Sequence, residues 1–111
     1  NALADESELP EMVRKIMLYI QQNYDKEISN SQISNAFGYH SYYLNRIFKE
    51  STGTTIHQAV LLEKIRVAKR LLKETDLPIG AVALEVGFAD RAQFCTIFKK
   101  HTSRTPTEYR K

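Results

Sequence analysis

Phe37-Gly38-Tyr39-His40-Ser41-Tyr42-Tyr43-Leu44-Asn45-Arg46-Ile47-Phe48-Lys49 decides how the rest of this chain is read. It has the pattern of a short helix ending, a Gly-led turn, and a second helix with two unlike faces. Gly38 suits the left-handed backbone that ends a helix, because it has no Cβ to clash. Ser41 is a good cap for the second helix. At about 100° per residue, Leu44, Ile47 and Phe48 fall on one side. The other side carries Tyr42, Asn45, Arg46 and Lys49. A phenol, an amide, a bidentate guanidinium and an ammonium are the groups that reading base edges requires. Two helices joined by a short turn containing Gly describe a DNA-binding helix-turn-helix.

The pattern occurs twice. Ile33-Ser34 through Gly38-Tyr39 lines up with Val82-Ala83 through Gly87-Phe88 at an offset of 49 residues. Leu44-Asn45-Arg46-Ile47-Phe48-Lys49 lines up with Phe94-Cys95-Thr96-Ile97-Phe98-Lys99 at an offset of 50, so the second turn holds one extra residue among Ala89 to Gln93. Stacked arrays need three or more repeats to bury a continuous core. Two copies with a long helical segment between them point instead to a duplicated function.

A chain of 111 residues is one domain or two small lobes sharing a helix, and 42% hydrophobic with 26% charged residues is a globular composition. No apolar run reaches the roughly 18 residues of a membrane span, and no signal peptide is recognisable. The single Cys95 excludes an intrachain disulfide. The expected compartment is the cytoplasm, with no membrane partner. Residues 1–27 hold three basic and six acidic residues, whereas 28–111 hold thirteen basic and seven acidic. The positive excess therefore lies with both repeats, as a polyanion partner demands.

Along the chain, residues 1–8 are polar, acidic and without periodicity, and read as a disordered leader. Pro10 suits the first turn of a helix carrying Val13, Ile16, Met17, Ile20 and Tyr24 on one stripe. Ser29-Asn30-Ser31-Gln32 is a capping box, opening a short helix that sends Ile33, Ala36 and Phe37 inward. The recognition helix spans Tyr42 to about Ser51, and Thr55 caps the next helical segment. That segment, Ile56 to Glu74, is the longest helical pattern, striped by Leu61, Ile65, Ala68 and Leu72 and widened by Leu62 and Leu71. At 1.5 Å per residue it measures roughly 28 Å, a length suited to holding two readers over adjacent major-groove segments, which recur about every 34 Å. Ile79 to Val86 is the second short helix, ended by Gly87. Asp90 and Gln93 form a cap pair, and Thr105-Pro106-Thr107-Glu108 starts a last helix whose Tyr109 packs back on the second lobe.

Gly87-Phe88-Ala89-Asp90, Phe94, Ile97-Phe98-Lys99-Lys100 and Thr105-Pro106-Thr107-Glu108-Tyr109-Arg110 resemble the signature of AraC/XylS-type transcription regulators. Lys64-Ile65-Arg66-Val67-Ala68 with Leu71-Leu72 is similar to the linker helix of that family, and Phe48-Lys49-Glu50 with Thr52-Gly53 to its first unit. The resemblance spans residues 10–110. It implies an all-α fold of about seven helices, with two helix-turn-helix subdomains (9–55 and 76–111) joined by a long central linker helix (56–75). It implies sequence-specific binding of double-stranded promoter DNA, usually for activation through RNA polymerase. In relatives this domain commonly follows a sensor, dimerisation or receiver domain. The chain is thus expected to be a monomeric C-terminal part of a longer regulator that can dimerise, the alternative being one of the small members that act alone. Two departures stand out: Lys64 replaces the usual Arg of the linker, and Ser103 or Arg104 replaces a Gly common before the final motif.

The site expected from these readings is unequal. Tyr42, Asn45 and Arg46 contact bases in the first unit, and Arg91, Gln93 and Thr96 in the second, where bidentate donors are scarce. The Ala92 and Thr96 methyls offer contact to thymine instead. Ser29, His40, Ser41, Lys49, Lys99 and Lys100 are the phosphate candidates. The bland alternative for Arg46 is a salt bridge to Glu50. Cys95 reads as a small filler, and His40, His57 and His101 lack metal-ligand spacing. No metal or cofactor is expected, and no phosphate-cradling loop or nucleophile motif suggests an enzyme. The competing functions are a helical protein-interaction module and a domain that coats DNA without specificity.

Overall fold

A computed structural model describes the backbone from residue 2 and the side chains from residue 11. Seven helices, and no strand, occur among the described residues: α1 (Ala2–Asn23), α2 (Asn30–Phe37), α3 (Ser41–Thr52), α4 (Ile56–Glu74), α5 (Ile79–Glu85), α6 (Arg91–Thr102) and α7 (Pro106–Arg110). The chain divides into two compact units. The first takes α1, α2, α3 and α4 as far as Leu61; the second takes Tyr24–Lys26, the rest of α4 and α5 to α7.

In the first unit Val13, Ile16 and Ile20 of α1 close over Ile33 of α2, over Leu44, Ile47 and Phe48 of α3, and over Ile56 and Val60 of α4. Leu44, Phe48 and Ile16 are fully enclosed, each burial stabilising by about 1.5–3 kcal/mol. The capping box at α2 forms: the Ser29 hydroxyl accepts from the Gln32 N–H at 3.2 Å, and the Ser29 N–H donates to Gln32 Oε1 at 2.9 Å. Gly38 ends α2 at φ +73°.

Three expectations need correcting. α1 begins at Ala2, well before Pro10. Of the leader, Asn1 lies outside the described residues and 2–8 are helical in backbone, where Ala, Leu and Glu supply propensity without periodicity. Met17, Ala36 and Leu62 are exposed, because each lies toward the edge of the apolar stripe of its helix. Ser41 is not the cap of α3. His40 is, its Nδ1 accepting from the Tyr42 N–H at 3.1 Å. Nδ1 sits as many bonds from Cα as the Oδ1 of an Asn or Asp cap, so it reaches the same orphan donor.

The second unit buries Ile65, Val67, Ala68 and Leu72 of α4 and Val82, Ala83 and Val86 after Pro78, together with Phe88, Phe94 and Phe98. The aromatic rings run in series, Phe88 to Phe94 at 5.3 Å, Phe94 to Phe98 and Phe98 to Tyr109 at 5.5 Å each, so Tyr109 does pack back. The Arg110 guanidinium donates to the Leu72 and Thr75 carbonyls at 3.0 and 3.3 Å, satisfying the end of α4.

The second corner is tighter than the first. The Phe88 N–H bonds the Ala83 carbonyl and the Gly87 N–H that of Leu84, the paired bonds of a Schellman motif. Lys64 Nζ donates to the Gly87 carbonyl at 2.9 Å and stands 5.4 Å from the Phe88 ring centroid. Burial pulls the Lys64 ammonium below the ordinary lysine range, with Asp25 acting the other way. The linker-position lysine is thus a strut for the corner, a job a single ammonium can do without the fork of an Arg.

Candidate nucleic-acid interface

In α3 the core side and the solvent side separate cleanly. Leu44, Ile47 and Phe48 are buried, whereas Tyr42, Arg46 and Lys49 are exposed, Tyr42 at 72%. Among the described residues Arg46 belongs to no ion pair; those that form are Arg14–Glu11 and Arg66–Glu63. The Glu50 pairing is absent, and the guanidinium instead lies 5.9 Å from the Tyr43 ring centroid.

Asn45 does not stand with this group. It is half-buried, its Nδ2 donating to the Ser41 carbonyl at 3.0 Å and its Oδ1 accepting from the Ile56 N–H at 3.3 Å. The Oδ1 satisfies a first-turn donor of α4, which no intrahelical carbonyl can reach. Its amide therefore joins α3 to the start of α4.

His40 and Ser41 line a polar depression of about 360 Å3 together with Asn30, Ser31, Ser34 and Asn35. The starts of α2 and α3 thus meet around one concave surface, and helix starts offer unpaired N–H groups to anions. Ser29 is half-buried and does not line it, with its N–H and hydroxyl used in the capping box. The sequence pattern left Asn30, Ser31, Ser34 and Asn35 unassigned, although the polar residues on both sides of Ile33 were the available signal.

In α6, Gln93, Thr96, Lys99 and Lys100 are exposed away from buried Phe94 and Phe98, and Arg91 is exposed at the first position of the helix. Asp90 caps the helix through the Gln93 N–H at 2.8 Å, and Gln93 Oε1 accepts from the Ala89 N–H at 3.0 Å. Half of the Gln93 amide is thereby committed to the corner, leaving Nε2 to donate. Cys95 is half-buried and free. No group of three or more His, Cys, Asp or Glu able to hold a metal occurs among the described residues. No helix among them is long and apolar enough to cross a membrane.

A helix-turn-helix domain family model matches residues 33–111. The probable transcription factor PqrA of Proteus vulgaris is 33% identical over 105 residues, covering 95% of this chain and 84% of its own length. The bifunctional transcriptional activator and DNA repair enzyme AdaA of Bacillus subtilis is 31% identical over 90% of this chain, which spans 47% of that relative. Among solved structures, the C-terminal domain of the two-component response regulator yesN of Fusobacterium nucleatum superposes with a TM-score of 0.82 at 33% identity, covering 88% of this chain and 96% of that one.

Proposed function

We propose, for a chain that belongs to the AraC/XylS-type family of helix-turn-helix transcription regulators, that α3 and α6 each read duplex DNA in the major groove and that α3 carries most of the base discrimination. One observation supports this above the others: Tyr42 and Arg46 project together into solvent from a helix whose opposite face is the core. Among the described residues Arg46 makes no hydrogen bond, so its donors can serve O6 and N7 of a guanine, the commonest specific contact. The equivalent α6 face offers Thr96 and methyl groups, so Arg91 and the free amide nitrogen of Gln93 supply its polar base contacts.

Lys49, Lys99 and Lys100 serve the phosphates, with His40 and Ser41 at the depression where α2 and α3 start. The His40 Nδ1 accepts a backbone N–H, which leaves Nε2–H as the donor toward a phosphate oxygen. Ser29 and Asn45 are withdrawn from contact by their own hydrogen bonds, Ser29 capping α2 and Asn45 tying α3 to the start of α4. The working division is a first helix-turn-helix at 9–55, a linker at 56–75 and a second helix-turn-helix at 76–111. The setting is a bacterial cytoplasmic regulator, an activator that touches RNA polymerase, and no catalytic step is assigned to this part of it.

Arg46→Ala and Thr96→Ala, compared on duplexes carrying each base in turn, test the unequal readers. Arg46→Ala is expected to cost about 1–3 kcal/mol and to relax one base-pair preference, with Thr96→Ala costing clearly less. Equal loss of discrimination from both would reject it.

A further inference from the structure

Tyr43 and Tyr39 are large aromatic residues left half in water, at 38% and 49% exposure, although the unit has a core that takes Phe48 completely. They are not scattered. The Tyr39 ring lies 5.5 Å from the Tyr43 ring at 38° to it, and the Arg46 guanidinium lies 5.9 Å from the Tyr43 centroid. Positions three apart on a helix are surface neighbours, so Tyr43 sits where it can support Arg46 from beneath. The base of this ladder is fixed as well, since the Ser34 hydroxyl donates to the Tyr39 carbonyl at 2.7 Å.

The geometry points to Tyr43 as a positioning residue for Arg46: its ring, braced by Tyr39, is a shelf that holds the guanidinium in one place for the base edge, so Tyr43 sets the sharpness of a preference that Arg46 expresses. This rests on the reading of Arg46 as a base contact. A long charged side chain in solvent samples many rotamers, and ordering it on binding costs affinity. A guanidinium stacked on an aromatic face has met part of that cost beforehand. The second unit lacks the device altogether. Gln93 and Thr96 stand at the positions equivalent to Tyr43 and Arg46, and Phe88, equivalent to Tyr39, is buried.

The test is a double-mutant cycle on the 111-residue chain: Tyr43→Ala, Tyr43→Phe, Arg46→Ala and Tyr43→Ala with Arg46→Ala, each scored on duplexes varied at every base pair. A cation–π contact at an exposed site corresponds to about two- to fivefold in an equilibrium constant. Tyr43→Ala is expected to weaken, by about that factor, the same base preference that Arg46→Ala removes. It should add nothing further in the Arg46→Ala background, and Tyr43→Phe should behave as wild type. An equal effect of Tyr43→Ala with and without Arg46 would overturn the proposal, as would no effect at that base pair. The Arg46 Nε order parameter of the free protein is the second readout, expected to fall in Tyr43→Ala and to hold in Tyr43→Phe. If Arg46→Ala alters no base preference, the base-contact reading fails by itself. The order parameter then decides the shelf, which an unchanged value in Tyr43→Ala would refute.

Discussion

Replacing Gly87 with Ala is expected to damage the protein far more than the same change at Gly38, although both glycines end the first helix of a helix-turn-helix. Both have left-handed backbones, φ +73° at Gly38 and +92° at Gly87, where an L side chain costs about 1–2 kcal/mol. Lower chain entropy in the unfolded state returns about 0.4–1 kcal/mol of that in each case. At Gly38 the added methyl meets nothing within 4 Å, so the net cost stays near 1 kcal/mol. At Gly87 it would stand 2.8 Å from Lys64 Nζ and 2.9 Å from both the Cα and the carbonyl oxygen of Asp25. The ammonium can swing away, giving up its bond to the Gly87 carbonyl, but the Asp25 backbone cannot. Overpacking of that kind costs a further 1–3 kcal/mol or so, making about 2–4 kcal/mol for Gly87→Ala in a protein with roughly 5–15 kcal/mol in total. Urea unfolding of both variants measures the difference, and amide exchange in α5 and α6 locates it. Equal midpoints for the two would refute the close-approach argument.

Ser103 is the reverse case, a non-glycine residue at φ +66° that ends α6 as Gly53 ends α3. Ser103→Gly should stabilise by about 1 kcal/mol and raise Tm by about 4–8 °C; an unchanged or lower Tm in calorimetry contradicts it. Asn45→Ala should cost about 1–3 kcal/mol of stability by stranding the Ile56 N–H, while leaving base preferences as they are. Lost discrimination at unchanged stability would return Asn45 to the DNA. The Thr105 N–H and then the Thr105 hydroxyl hold the Glu108 carboxyl below its usual range. A folded value under the unfolded one means that this cap acts in full above the unfolded range and is lost as pH falls through the folded value. Glu108→Gln should remove that dependence from the α7 amide signals, and an identical acid titration in both proteins would count against it.

The duplication was legible because corners and apolar positions repeat together, and it extends further than the pattern of core residues showed. Thr52 and Thr102 both donate to the carbonyl four residues back, at 2.8 Å. Gly53 and Ser103 both cap through a lysine carbonyl at 2.8 Å. Thr55 with Gln58 and Thr105 with Glu108 form matching capping pairs. All of these keep the 50-residue offset, so α7 repeats the start of α4 and Ser103 is the position of the missing glycine. The structural bonds of Asn45 were hidden for a different reason. At about 100° from the centre of the apolar side it lies on the flank of α3, and only tertiary structure shows that the start of α4 lies against it. The choice between His40 and Ser41 as cap was equally invisible, since both are adjacent and both carry an acceptor. Tyr43 gave no periodic signal at all, because its partners are a turn residue and a charged side chain rather than the core.

The central claim is that α3 and α6 present a base-reading surface and not merely a basic one. Selection from a pool of random duplexes at two salt concentrations, with wild type and Arg46→Ala side by side, tests it most directly. Binding should weaken steeply as salt rises, since phosphate contacts release counterions. Wild type should enrich an asymmetric site, and Arg46→Ala should lose selectivity at one position of it. The same steep salt dependence with no enriched site, in either protein, would contradict the account and leave a domain that coats DNA.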